Sequence, residues 1–105
     1  MKNFSIFLQD IKDNPVIYLG KPSITCLHSL LVGYLTTLRH LGFLQEGCPM
    51  DGFQEWIQER GKTTVSQSWA KIILFNSMDE YEALERFFEL FEEYLNRNKS
   101  SNQVS

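Results

Sequence analysis

Residues 79–95 read DEYEALERFFELFEEYL. Seven of them are acids, one is a base (Arg86), and five carry aromatic rings. A helix accommodates both properties. At about 100° per residue, Tyr81, Leu84, Phe87, Phe88, Phe91 and Leu95 fall on one side. Glu82, Glu85, Glu89, Glu92 and Glu93 fall together on another. The stretch is therefore expected to turn its rings inward and leave a ridge of carboxylates outside. Ser77-Met78-Asp79-Glu80 just upstream has the spacing of a capping box. Acids in the first turn also suit the positive end of the helix dipole.

The rest of the chain reads as further helices of one small domain. Phe4, Phe7, Leu8 and Ile11 form an i, i+3, i+4, i+7 stripe. Asn14-Pro15 ends it, since proline disfavours helical geometry in the residue before it. VIYLGKPS (16–23) then reads as an extended or turn segment. Ser23 is a candidate N-cap for a helix carrying Leu27, Leu30, Leu31, Tyr34, Leu38 and Leu41. Gly33 inside that helix costs about 1 kcal/mol against alanine, so a close-packed neighbour is expected there. Gly42 is a stop signal. FLQEGCPMDG (43–52) is a loop, and Asp51 with Gln54 has capping-box spacing for a short helix with Phe53, Trp56, Ile57 and Arg60 along one side. GKTTVS (61–66) connects onward to SQSWAKIILFNS. That segment fits a helix with Trp69, Ile72 and Ile73 inward, or a strand from its β-branched run; the helix is preferred. Both tryptophans are expected in the core. The expectation is a mainly α, compact single-domain bundle of about five helices over residues 1–95, with 96–105 as a flexible polar tail.

Composition narrows function by exclusion. The chain has 105 residues, is 43% hydrophobic and carries a net charge of −3. Residues 1–78 have a net charge of +1 and residues 79–95 one of −6, so the acidity belongs to one element. The pI of about 5.3 disfavours direct nucleic-acid binding. No apolar run approaches a membrane span or a signal peptide. Two cysteines, Cys26 and Cys48, make no disulfide framework. These features suggest a reducing cytoplasm and no membrane partner.

No P-loop, dinucleotide fingerprint, zinc-protease or nucleophile-elbow motif occurs. His28 and His40 stand about 18 Å apart along one helix, too far to share a metal. Cys26 and His28, two residues apart, point in different directions. Cys48 lacks a base to activate it. The chain is expected to be no enzyme and to need no cofactor or metal. The acidic ridge has two readings: a solvated face, or a docking surface for a basic partner. Clustering of like charge, with little lysine interspersed, favours the second.

One pattern runs from residue 10 to 95. Pro15, Tyr18, Leu19, Gly20, Ser23, Gly33 and Tyr34 are followed by Phe53, Trp56, Arg60, Ser68, Trp69, Ile73, Leu74, Phe87 and Phe88. In order and spacing this resembles a group of short bacterial proteins that read R-P-x-M-Y-L-G, a leucine-rich helix ending in G-Y, F-x-x-W…R, S-W…I-L and an acidic helix with F-F. Asn14 stands where that pattern has Arg, and Val16-Ile17 where it has Met before the Tyr. The group resembles the immunity proteins of bacterial toxin–immunity systems, including contact-dependent growth inhibition. The resemblance implies a cytoplasmic inhibitor that binds one cognate toxin, expected to be a basic nuclease domain, and blocks its active site. Glu82, Glu85, Glu89, Glu92 and Glu93 are the candidate contact residues. Asp51, Glu55 and Glu59 join them if their helix lies beside the last one. The alternative is a regulatory interaction module whose partner is not a toxin.

Overall fold

A computed structural model describes residues 2–43, 50–61 and 67–104, with side chains at 4–43, 50–61 and 67–97. The described residues form six helices and no strand: α1 (Lys2–Asp13), α2 (Pro15–Leu19), α3 (Ile24–His40), α4 (Phe53–Arg60), α5 (Trp69–Phe75) and α6 (Glu80–Val104). The mainly helical expectation holds. Five of the six helices have seven residues or more.

The buried residues form one cluster. α1 contributes Phe4, Leu8 and Ile11, and α3 contributes Ile24, Leu27 and Leu31. α4 adds Phe53 and Ile57, while α5 adds Trp69, Ala70, Ile72 and Ile73. α6 supplies Ala83, Leu84, Phe87, Phe91 and Tyr94, and packs against α3, α4 and α5. Phe53 is fully buried and meets the edges or faces of Trp56, Trp69, Phe87, Phe91 and Tyr94 at centroid distances of 5.3–6.0 Å. α5 is a helix, not a strand: Ser68 caps it by accepting the Lys71 N–H at 3.2 Å.

Four local readings change. Residues 15–19 are helical, because Pro15 sits at N1, where its missing N–H is no loss and its φ is preset. Asp51 does not cap α4. Gly52 takes the cap position at φ 90°, and the Tyr94 hydroxyl donates to the Asp51 carbonyl. Gln54 instead joins α4 to α5: its Nε2 donates to Gln67 O and its Oε1 accepts from Trp69 N, both at 2.7 Å. The capping box of α6 lies two residues later than expected. Asp79 Oδ1 accepts from Glu82 N at 2.8 Å, and Glu82 Oε1 accepts from Met78 N at 3.0 Å. Ser77 is occupied elsewhere, donating its hydroxyl to Ile73 O at the end of α5. Finally, α6 continues past Leu95 to Val104.

Gly33 also departs from expectation. It is exposed, and a Cβ built there would meet nothing within 4 Å. Gly42 does end α3: its N–H donates to Arg39 O at 3.1 Å, and Phe43 N–H to Leu38 O at 2.9 Å.

Ser23 caps α3 by accepting the Cys26 N–H at 3.2 Å. Its hydroxyl donates to Glu80 Oε1 at 2.8 Å. The same carboxylate accepts from Thr25 N at 3.0 Å and Thr25 Oγ1 at 2.7 Å. The first residue of α6 thus closes the start of α3. Burial acts to raise the Glu80 pKa, but the Thr25 and Ser23 hydrogen bonds, with the Lys21 charge, outweigh it and bring it below 4.5. A carboxylate with a depressed folded pKa stabilises most above its unfolded pKa. That contribution fades as pH falls through the folded value.

Glu80→Gln is therefore expected to lose about 1 kcal/mol at neutral pH. Its denaturation curve should converge on that of the unsubstituted protein as pH drops below 4.5. Gly33→Ala should raise stability by roughly 0.5–1 kcal/mol. Gly52→Ala should lower it, because its Cβ would sit 2.8 Å from the Tyr94 hydroxyl at a positive φ. Urea titration of the three variants checks all of these outcomes.

Candidate functional site

The buried arc of α6 is rotated from the sequence expectation. Ala83 and Tyr94 are inside, whereas Tyr81 is 54% and Leu95 39% exposed. Tyr94 is tolerated there because its hydroxyl reaches the Asp51 carbonyl. Phe87 and Phe91 are buried and Phe88 is half-buried. On the helical wheel, Tyr81, Phe88 and Leu95 recur every seven residues and form a seam beside Glu85 and Glu92.

The ridge itself has two edges. On the α4 edge, Glu93 pairs with Arg60 at 2.9 Å, and Glu82 meets Arg86 at 3.7 Å. Both pairs are solvent-exposed, so each contributes at most about 1 kcal/mol. On the α1 edge stand Glu85, Glu89 and Glu92. Among the described residues these three form no ion pair. All three are exposed.

The structure therefore divides the eight expected contact residues. Glu85, Glu89 and Glu92 stay together as an uncompensated strip. Glu82 is drawn into the α6 cap and towards Arg86. α4 does lie beside α6, through Arg60–Glu93 and the Trp56–Tyr94 ring contact at 5.5 Å. Glu55 and Glu59, however, sit on the side of α4 opposite Phe53 and Ile57, and Asp51 is in the preceding turn. None of these three residues lines the hollows along α1.

Two hollows follow that edge. One, of about 290 Å³, lies between Lys12, Pro15 and Pro22 on one side and Tyr81, Leu84 and Phe88 on the other, bordered by Glu85, Glu89 and Glu92. The second, of about 330 Å³, continues along α1 past Ser5, Leu8 and Gln9 to Phe91 and Leu95. Lys12, Phe88 and Glu92 line both. The Lys12 ammonium lies 6.0 Å from the Phe88 ring centroid. A third hollow, of about 340 Å³, opens between α4, α5 and α6 with Arg60 and Arg86 on its wall, and both guanidiniums are turned to glutamates of α6.

The histidines and cysteines show no catalytic arrangement among the described residues. His28 is half-buried edge-on to Trp69 at 5.1 Å. Burial, then the Lys71 charge, lowers its pKa below 6.5. His40 is exposed at the other end of the unbroken α3. Cys26 is a half-buried free thiol. Cys48 and most of the 61–66 connection lie outside the described residues. Among the described residues, no three His, Cys, Asp or Glu side chains are grouped to hold a metal ion, and no helix is long and apolar enough to cross a membrane. The two tryptophans differ. Trp69 is buried, whereas Trp56 is half-buried with the Arg60 guanidinium 5.2 Å from its ring.

No family model, curated protein or solved structure matches this chain.

Glu85 and Glu89 are four residues apart, and Glu89 and Glu92 three, so like charges repel along the helix. Replacing all three with Gln is expected to keep the fold and stabilise it by roughly 0.5–1 kcal/mol at low salt. The gain should shrink in about 1 M salt, where screening is short-ranged. Paired urea titrations at low and high salt measure it.

Proposed function

We propose that this protein is a cytoplasmic, non-enzymatic immunity protein that binds one cognate bacterial toxin and blocks its active site. The observation carrying this reading is the strip Glu85, Glu89 and Glu92. It is an exposed row of negative charge without an ion-pair partner among the described residues, beside an apolar hollow. The three like charges repel one another along the helix, and no ion pair among the described residues offsets that repulsion. Such a field speeds encounter with a basic surface. A nuclease groove that holds phosphates is a surface of that kind. Carboxylates seated there would take the positions of substrate phosphates and exclude substrate by bulk. The resemblance across residues 10–95 supports the same reading.

Co-expression with the cognate toxin should protect cells from that toxin. The association rate should fall steeply with added salt. Glu85→Lys with Glu89→Lys and Glu92→Lys should lose protection while remaining folded by circular dichroism. Protection by the charge-reversed protein, or association indifferent to salt, would refute the electrostatic plug.

A further inference from the structure

The α1–α6 edge combines two features that a solubilising surface does not require together. Its floor is apolar, built from Pro15, Pro22, Tyr81, Leu84 and Phe88, and its outer wall is the Glu85, Glu89, Glu92 strip. The 290 Å³ hollow is near the lower limit of about 300 Å³ for small-molecule sites. A 150 Å³ apolar cavity already admits a benzene ring, so this space suits one or two side chains rather than a whole substrate. The adjoining hollow lengthens it into a groove along α1. Glu85 and Glu92 are about 10 Å apart along the axis, matching basic residues spread over several positions of a chain. A free metal ion or small cation would leave the apolar floor unused. An anionic membrane or a nucleic acid would be repelled by the wall.

Lys12 displays the contact chemistry of the groove and also opposes a cationic guest. Among the described residues it is the one cation lining either hollow, and it stands at their junction over Phe88. It makes no ion pair within 4 Å among the described residues. A ring with an ammonium over its face already displays the contact that an incoming Lys or Arg would make.

We infer that the groove between α1 and α6 receives a cationic amphipathic segment of the partner protein. An apolar side chain enters between Pro15, Pro22, Tyr81 and Phe88. Neighbouring Lys or Arg residues pair with Glu85, Glu89 and Glu92. Lys12, a like charge at the waist, opposes the incoming segment. The inference rests on the toxin-binding reading for the partner's identity, but its recognition chemistry can be tested without a toxin.

The test is an amide-shift titration of the whole chain with three synthetic peptides: Leu/Lys, Ser/Lys of equal charge, and Leu/Glu. The Leu/Lys peptide should shift Val16, Tyr81, Phe88 and Glu89, bind about tenfold more tightly than Ser/Lys, and leave Leu/Glu without effect. Tyr81→Ser, at an exposed position, should weaken Leu/Lys binding but not Ser/Lys binding. Lys12→Gln should tighten Leu/Lys binding about threefold. Glu89→Lys should weaken it, and an unchanged spectral dispersion will show that each variant is folded. Equal binding of Leu/Lys and Ser/Lys would overturn the groove, as would shifts centred on α4 or on the turn at Phe75 and Met78. Toxin protection without groove shifts would overturn this inference alone. Groove shifts without protection would uphold it and remove the toxin as the partner.

Discussion

The fold depends on the Phe53 ring. α4 has eight residues and α5 seven, far below the length at which a helix persists alone in water. Phe53 holds them by meeting Trp56 and Trp69 on one side and Phe87, Phe91 and Tyr94 of α6 on the other. Such ring pairs add about 0.5–1.5 kcal/mol each beyond their buried area. Trp69 stacked on Phe87 at 4.8 Å extends the same contact surface. The cluster also fixes the rotation of α6 about its own axis. That rotation determines which glutamates face α4 and which face α1, so the exposed charge pattern is set from inside the core.

The acids of residues 79–95 share a charge but not a task. Asp79 caps α6, and Glu82 completes that cap. Glu80 is tied to Ser23 and Thr25 at the start of α3, holding two helices that are distant in sequence. Glu93 turns to Arg60. Only Glu85, Glu89 and Glu92 remain without a structural partner among the described residues. They stand on the side of α6 bordered by the exposed ring of Tyr81 and the half-buried ring of Phe88. Local electrostatics thus distinguishes acids that build the fold from acids available to a partner.

Turn geometry shows why some expectations moved by one or two residues. Ser77 and Asp51 each had the right type and spacing for a cap. Ser77 was claimed by the carbonyl of Ile73, and the Asp51 turn was shaped by the hydroxyl of Tyr94. Spacing rules cover neighbours along the chain. The Tyr94 contact bridges 43 positions, and no periodicity reports it. Gly33 illustrates the opposite error. A glycine inside a helix suggested a close neighbour, yet nothing approaches it.

By itself, the sequence determined that the chain is helical, that Phe4, Leu8, Ile11, Leu27, Leu31, Phe53, Ile57, Trp69 and Phe87 are interior, and that one helix carries a carboxylate ridge. Those properties follow from the 3.6-residue period, which any apolar stripe reveals. The Glu82–Arg86 pair follows from i, i+4 spacing, but tertiary structure alone decided that Arg60 neutralises Glu93 and that Glu85, Glu89 and Glu92 are left open among the described residues. It also decided that Tyr81 and Phe88 would line a groove rather than fill the core. The physical reason is that a helix's period says which residues share a face, while the direction of that face depends on the neighbours packed against it.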